Sequence, residues 1–412
     1  MTNQDYQYII IGAGCAGLQL AKSLLSLPKN QVDSILIIES NNNHIEKSWC
    51  FWNNESHPYR HLVKHEWQNL AFRSNHHFQS SSLKNQTYQY INSTEFDLFH
   101  KNLFKEDDRI SLVNDTVIDI SQHQNKCIAK CKNKNYTSAI LFNSVPHLIK
   151  NTVFNPKVWQ HFLGWEIITK SDSFKENQVT LMDFDVDENV DGRFIYILPF
   201  SKKSALIECT VFSDTLLPIE NYEQSLIKYL NENYKSEYTI IKKEKGVIPM
   251  FQISNKIQFD KIIPIGTAAG CIKASTGYSF VRNLENTERI MKKIFSKNNQ
   301  ASKSKSRFYF YDELLLWIIA NHPTQIKNIF TYLFRKNSIK NILLFLDEKT
   351  SLWQEIKILL SLPKFHFFKA LFHYKPMQLF NPKHFEIPLY PEINKVSKAL
   401  ETKKILELEY PV

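Results

Sequence analysis

Hydrophobic spacing along the chain changes from one segment to the next, and each change predicts a different element. Residues 8–11 (YIII) form an unbroken apolar run of the kind found in a buried parallel strand. Leu18, Leu20, Leu24 and Leu25 then continue in a helical pattern, and 35–38 (ILII) read as a second strand. In the middle of the chain, 179–186 (VTLMDFDV), 193–200 (RFIYILPF) and 204–212 (SALIECTVF) predict three strands of similar length. The turn 201–203 joins the last two, so the segment reads as an antiparallel sheet. Beyond residue 307 the spacing becomes helical, with Ile326, Ile329, Phe330 and Leu333 at i, i+3, i+4 and i+7.

Alternation along 204–212 places Ala205, Ile207, Cys209 and Val211 on one face and Leu206, Glu208, Thr210 and Phe212 on the other. One carboxyl group therefore sits among apolar neighbours. That is costly unless the group is paired or holds a proton. Glu208 is the first candidate for chemistry.

The second candidate is the turn after the first strand, where Gly12, Gly14 and Gly17 fall in G-x-G-x-x-G spacing at the start of the predicted helix. Gly12 suits a tight turn, Gly14 lets the backbone approach a pyrophosphate, and Gly17 lets the helix pack on the strand. The helix N-terminus supplies N–H groups and partial positive charge to phosphate. Glu39 ends the second strand 22 residues after Gly17, placed to accept ribose hydroxyls. Together these predict a dinucleotide site, with the ADP half of FAD the favoured ligand. A later small-residue stretch starts at Gly266, Thr267 and Ala268 after 261–265 (KIIPI) and runs to Gly277 and Tyr278. It reads as a strand, a turn and a helix start, followed by a helix over 281–295. In two-dinucleotide flavoproteins such a turn returns beneath the ribityl and pyrophosphate, although the frequent Gly-Asp pair is here Gly266-Thr267.

Composition narrows the class. The 412 residues suffice for two or three subdomains, 13% are aromatic, and no run reaches the length of a spanning helix. The N-terminal residues show no export signal, and six scattered cysteines lack a metal-ligand cadence, so a reduced cytoplasmic setting without metal is expected. His161 has no companion at metal spacing. The net charge is +10, and residues 301–375 hold twelve Lys and Arg against five Asp and Glu. With their many aromatics they suit an anionic membrane surface, nucleic acid or a solvated helical face.

In order, the chain contains residues 8–18, Ser48-Trp-Cys-Phe-Trp52, Phe96-Asp-Leu-Phe99, Phe154-Asn-Pro156, 160–167 (QHFLGWEI) and Met182-Asp-Phe184. There follow Leu198-Pro-Phe-Ser201, Leu206-Ile-Glu208-Cys-Thr210, Gly246-Val-Ile-Pro249, Gly266-Thr-Ala-Ala-Gly270, Ser275-Thr-Gly-Tyr278, Phe310-Tyr-Asp312 and 345–352 (FLDEKTSL). This series resembles the lycopene cyclases, flavoproteins of carotenoid biosynthesis, over nearly the whole length. Three positions depart from the family pattern. Ala274 replaces a frequent proline, Cys209 replaces the second of two consecutive acids, and 142–146 (FNSVP) lacks an Asp-bearing turn.

The resemblance implies a Rossmann-like FAD-binding domain of the two-dinucleotide type, an antiparallel substrate sheet and a C-terminal helical region. The expected divisions are 1–150 with 246–300, then 151–245, then 301–412. It further implies cyclisation of the linear ends of lycopene to β-ionone rings, giving β-carotene through γ-carotene without net redox change. Glu208 would be the proton donor. Reduced FAD would be held by Gly12, Gly14, Gly17, Glu39, Gly266, Thr267, Ala268, Gly277 and Tyr278, with NAD(P)H as electron donor. A peripheral membrane location is expected and no nucleic-acid partner. Other readings of the scaffold are an NAD(P)H-consuming flavin monooxygenase or isoprenoid reductase, and a non-catalytic flavoprotein that would not need Glu208.

Overall fold

Tyr8, Ile9, Ile10 and Ile11 are all at most 3% exposed, as a strand covered on both sides requires. They lie in Gln4–Ile11, which pairs in parallel with Ile35–Glu39 on one side and Asn135–Asn143 on the other. In the computed structural model, which describes residues 4–40, 46–53, 56–74, 77–149, 158–186, 191–252, 260–295 and 306–379, three sheets are present. The first runs Ile110–Asn114, Ile35–Glu39, Gln4–Ile11, Asn135–Asn143, Lys126–Cys131 and Val117–His123, and Ile262–Pro264 joins Asn135–Asn143 in parallel. Helices Cys15–Leu25 and Phe280–Phe295 share a core with one face through Leu20, Leu24, Phe280 and Ile290. This is the Rossmann-like layer that the glycine spacing predicted.

The second sheet runs Tyr238–Met250, Val158–Thr169, Ser204–Ser213, Gly192–Pro199, Gln178–Asp183, Asn69–Ser74 and His77–Ser82. Its pairings are antiparallel except between Gln178–Asp183 and Asn69–Ser74. The three strands expected in the middle of the chain are present in that order. The sheet also takes in two strands from before residue 85, whose contribution their own polar-rich sequence did not announce. Ser48–Asn53, Thr87–Asn92 and His65–Trp67 form a small third sheet.

The alternation along 204–212 resolves into two cores. Ala205, Ile207, Cys209 and Val211 pack with Tyr222, Leu226, Tyr229 and Leu230 of helix Ile219–Asn233. Leu206 and Phe212 face the opposite core, with Trp52, Tyr88 and the inward residues Ile326, Leu333 and Ile358 of helices Ile326–Lys336 and Leu352–Ser361. Each fully buried Leu or Ile contributes roughly 1.5–3 kcal/mol. Glu208 thus points from a strand covered on both faces.

The chain divides into two compact units, Met1–Leu371 and Phe372–Val412. The 154–156 motif and residues 380–412 of the expected C-terminal region lie outside the described residues. Among the described residues, no helix is long and apolar enough to cross a membrane.

Candidate active site

The glycine loop adopts the conformation its spacing requires. Gly12 has φ +95°, and its N–H donates to the Ile38 carbonyl at 2.8 Å. A Cβ on Gly17 would lie 2.0 Å from the Gly12 carbonyl oxygen, so only glycine permits this helix-to-turn contact. Gly14 precedes helix Cys15–Leu25, and a Cβ there would meet no protein atom within 4 Å. The space above it is open, which suits a phosphate approaching the helix N-terminus. Glu39 reaches back to the same loop, where its Oε2 accepts from the Ala13 N–H at 2.7 Å.

Ser144 ties this loop to the second glycine-bearing stretch. Its Oγ donates to the Ile11 carbonyl at 2.7 Å, and its own carbonyl accepts from Ala268 N–H at 3.3 Å. Gly266, with φ +54°, would bring a Cβ to 3.0 Å from that of Ala16. Gly12, Gly14, Gly17, Glu39, Gly266, Thr267 and Ala268 therefore gather at one end of the parallel sheet. No α-helix follows this turn directly, and the helix expected over 281–295 spans Phe280–Phe295. Gly266–Ala269 form a single 3₁₀ turn that ends at Gly270 in the left-handed region, and the chain then loops to Phe280.

Gly277 and Tyr278 belong to a different cluster. Gly277 faces the second sheet, with Ile248 and Gln160 within 3.2 Å of where its Cβ would be. The Tyr278 hydroxyl meets that of Tyr88 at 3.0 Å, and Tyr88 meets Tyr196 at 3.0 Å. Tyr196 lies opposite Glu208 in the strand register. Trp52 stands edge-on to Tyr278 at 4.9 Å and donates from its indole N–H to Asp347 at 3.0 Å. A cleft of about 480 Å³, including its open mouth, adjoins Trp52, Tyr278, Phe280, Arg282 and Asp347. Lys273 and Arg282 bind Glu348 at its edge, and Lys273 also binds Asp312.

Glu208 is 7% exposed. Burial pushes its carboxyl well above the usual range, and the neighbouring Glu244 carboxyl adds to the rise by charge and by hydrogen bonding. Glu244 comes from strand Tyr238–Met250. Both acids are in register with Gly164 of the strand between them. Ser48 Oγ donates to Glu244 Oε2 at 2.9 Å. Among the described residues neither acid forms an ion pair with Lys or Arg. The arrangement can keep a carboxylic acid protonated beside Tyr196, Tyr278 and Cys50. Sequence reasoning named Glu208 and Tyr278 here but missed Glu244, Gly164, Tyr88 and Tyr196. His161 is buried between Tyr222 and Ser213, at 2.5 and 2.7 Å.

Residues 7–372 match the family model described as "Lycopene cyclase protein". A lycopene beta-cyclase of Pantoea ananas is 34% identical over 104 residues, 24% of this chain and 27% of that protein. The matched stretch thus spans about a quarter of the curated relative. Among solved structures, a geranylgeranyl bacteriochlorophyll reductase-like protein from Thermoplasma acidophilum superposes with TM-score 0.60 at 12% identity, covering 90% of this chain and 99% of its own. A flavoprotein/dehydrogenase from Cytophaga hutchinsonii gives 0.57 at 12%, covering 92% and 100%. The flavin-dependent brominase Bmp2 gives 0.53 at 14%, covering 91% and 100%. These likenesses show the fold: the Rossmann-type flavoprotein architecture with an added sheet and C-terminal helices.

Proposed function

The chain belongs to the lycopene cyclase family, and on that premise we propose that it closes the linear ends of lycopene into β-ionone rings, giving β-carotene through γ-carotene without net redox change. The observation that carries this reading is a buried carboxyl, Glu208, set beside Tyr196 and Tyr278, where burial first and the Glu244 carboxyl second favour its protonated form. An unactivated C=C bond needs a correctly placed acid that still holds its proton at working pH, and the resulting cation must be shielded from water. Glu208 donates the proton to the end-group double bond. The neighbouring double bond attacks the tertiary cation, and a proton then leaves the ring. Trp52, Tyr88, Tyr196 and Tyr278 offer aromatic faces to positive charge while excluding water.

FAD fits the nucleotide end. Gly14 leaves room for the pyrophosphate, Gly12 and Gly17 hold the turn, Glu39 at the same loop would take the ribose hydroxyls, and Gly266, Thr267 and Ala268 close the loop beside Ser144. Gly277 and Tyr278 join this end to the Glu208 pocket. Bound there and reduced by NAD(P)H, FAD would supply an electron-rich ring system able to stabilise developing positive charge electrostatically. In this reading, residues 1–150 with 246–300 bind the cofactor, 151–245 the substrate, and 301–412 face the membrane. Exposed Trp353, Leu360, Phe365 and Phe368, with exposed Lys357, Lys364 and Lys369, support peripheral contact with an anionic bilayer, where a C40 hydrocarbon resides.

The test is anaerobic incubation with lycopene, FAD and NADPH, followed by pigment chromatography. Cyclic carotene should accumulate with NADPH use far below one per ring. Glu208→Gln should lower cyclisation by orders of magnitude while FAD content and melting temperature hold, and Glu208→Asp should retain a little. Unchanged pigment with stoichiometric NADPH oxidation would instead mark a monooxygenase or isoprenoid reductase.

A further inference from the structure

Glu208 is not alone in its pocket. Strand Val158–Thr169 separates its strand from that of Glu244, and Gly164 is the register partner of both acids. A Cβ on Gly164 would lie 2.9 Å from the Glu208 Cγ and 3.1 Å from the Glu244 Cγ. The missing side chain lets two carboxyls from non-adjacent strands meet over the sheet. Ser48 occupies Glu244 Oε2, while the buried Oε1 has no other hydrogen-bond partner, so it can accept from a protonated Glu208.

We propose that Glu208 and Glu244 share one proton across Gly164, with Glu244 the positioning residue that holds it on Glu208 and makes the pair the acceptor of the proton released by the ring. This rests on the reading of Glu208 as donor. The cycle balances. Glu208 gives its proton to the end-group carbon and leaves two carboxylates facing each other across Gly164, whose mutual repulsion favours taking a proton back. After ring closure a C–H bond breaks, its electrons form the ring double bond, and the pair recovers a single proton. No external acid or base is consumed. Because the two side chains approach each other over Gly164, the proton can return to Glu208 whichever of them collects it.

The groups facing the pair are few. Tyr196, Tyr278 and Cys50 surround Glu208, with Tyr88 bridging the two tyrosine hydroxyls, and Ser48, Tyr90, Glu166 and Lys242 surround Glu244. Lys242 is engaged with Glu46, so the negative neighbour of Glu208 is Glu244 itself.

The test measures the pH dependence of cyclisation, and separately the infrared carbonyl stretch of a protonated carboxyl in FAD-loaded protein without substrate. The acid form is active, so activity is present below the raised pKa of Glu208 and lost above it. Glu244→Gln keeps shape and hydrogen bonding but removes the charge. The alkaline limb and the infrared band should then both titrate about one pH unit or more lower. Glu244→Asp should restore part of the shift and keeps the test open if the Gln variant does not fold. Superimposable profiles for parent and Glu244→Gln, with the band lost only in Glu208→Gln, would overturn the pair while leaving Glu208 as donor. Normal cyclisation by Glu208→Gln would overturn the donor assignment itself.

Discussion

Gly164 stands opposite Glu208 in the antiparallel register, and a methyl group on it would meet the Glu208 Cγ at 2.9 Å. The obstacle lies at the base of the Glu208 side chain, so small tip movements do not relieve it. Gly164→Ala should force Glu208 and Glu244 off their shared line. We expect cyclisation to fall at least about tenfold, with a stability loss of about 1–3 kcal/mol from overpacking and FAD content unchanged. Activity per flavin and urea denaturation measure the two effects. Parental activity in Gly164→Ala would show that the glycine is not there for the carboxyls.

The nucleotide loop separates two kinds of glycine. Gly14→Val places a side chain in open space, so the flavin-free protein should melt near the parental temperature yet fail to retain FAD. Gly17→Ala instead drives a methyl into the Gly12 carbonyl oxygen at 2.0 Å and should lower the melting temperature even without flavin. Differential scanning of flavin-stripped protein, followed by flavin absorbance after reconstitution, distinguishes them. A yellow, fully loaded Gly14→Val variant would remove the loop from the cofactor site.

These two glycine sites also differ in how far the sequence revealed them. The Gly12–Gly17 spacing is local, so the loop and its helix followed from adjacent residues, and Glu39 from a fixed offset. Glu208 was legible because a period of two places one acid among apolar residues. Glu244 was not, because it stands among Lys242, Lys243 and Lys245 and no apolar alternation singles it out. Its meeting with Glu208 depends on the register of three strands, which no local pattern carries. The stretch after Gly266 was legible in the strand before it and in the helix over 281–295, but not in between, where Gly266, Gly270 and Gly277 at positive φ keep the chain looping. In the C-terminal segment the aromatic count was visible, but not that Phe308 and Phe334 are buried while Trp353 and Phe365 are exposed.

Two buried histidines give the fold an acid limit. Burial holds His100 and His161 at about 4, although the Phe96 carbonyl beside His100 and the Thr215 backbone beside His161 oppose the shift. The unfolded chain protonates first, so their stabilisation is present above the ordinary value near 6.5 and lost as pH falls towards about 4. By pH 5 each should have cost about 2 kcal/mol. His161→Gln, compared with the parent by urea denaturation at pH 7 and pH 5, should reduce the pH-dependent loss by about that amount. An equal loss in both proteins would mean that His161 is already charged in the folded state.

The final prediction concerns helix Leu352–Ser361 and the start of helix Lys364–Leu379. Leu352, Trp353, Ile356 and Leu360 are exposed at i, i+1, i+4 and i+8, and Trp353 is 82% exposed. The opposite side is fixed inward, with Ile358 in the core and Glu355 held by Arg307 at 2.7 Å. Phe365 and Phe368 continue the apolar surface among exposed Lys364 and Lys369. An apolar face bordered by cations suits the interface of an anionic bilayer, where apolar burial and charge attraction act together. Binding to vesicles of anionic phospholipid should exceed binding to neutral vesicles and weaken with salt, because Lys contacts are screened over about 10 Å at 0.1 M. Replacing both rings, Trp353→Ser with Phe365→Ser, should weaken partitioning at least about tenfold without changing FAD content, since each removes apolar area that would leave water. Cyclisation of lycopene presented in vesicles should fall with it, while turnover of detergent-dispersed lycopene should not. Parental vesicle binding by the double variant would place the membrane contact elsewhere, and absence of binding even at low salt would leave this face as ordinary protein surface.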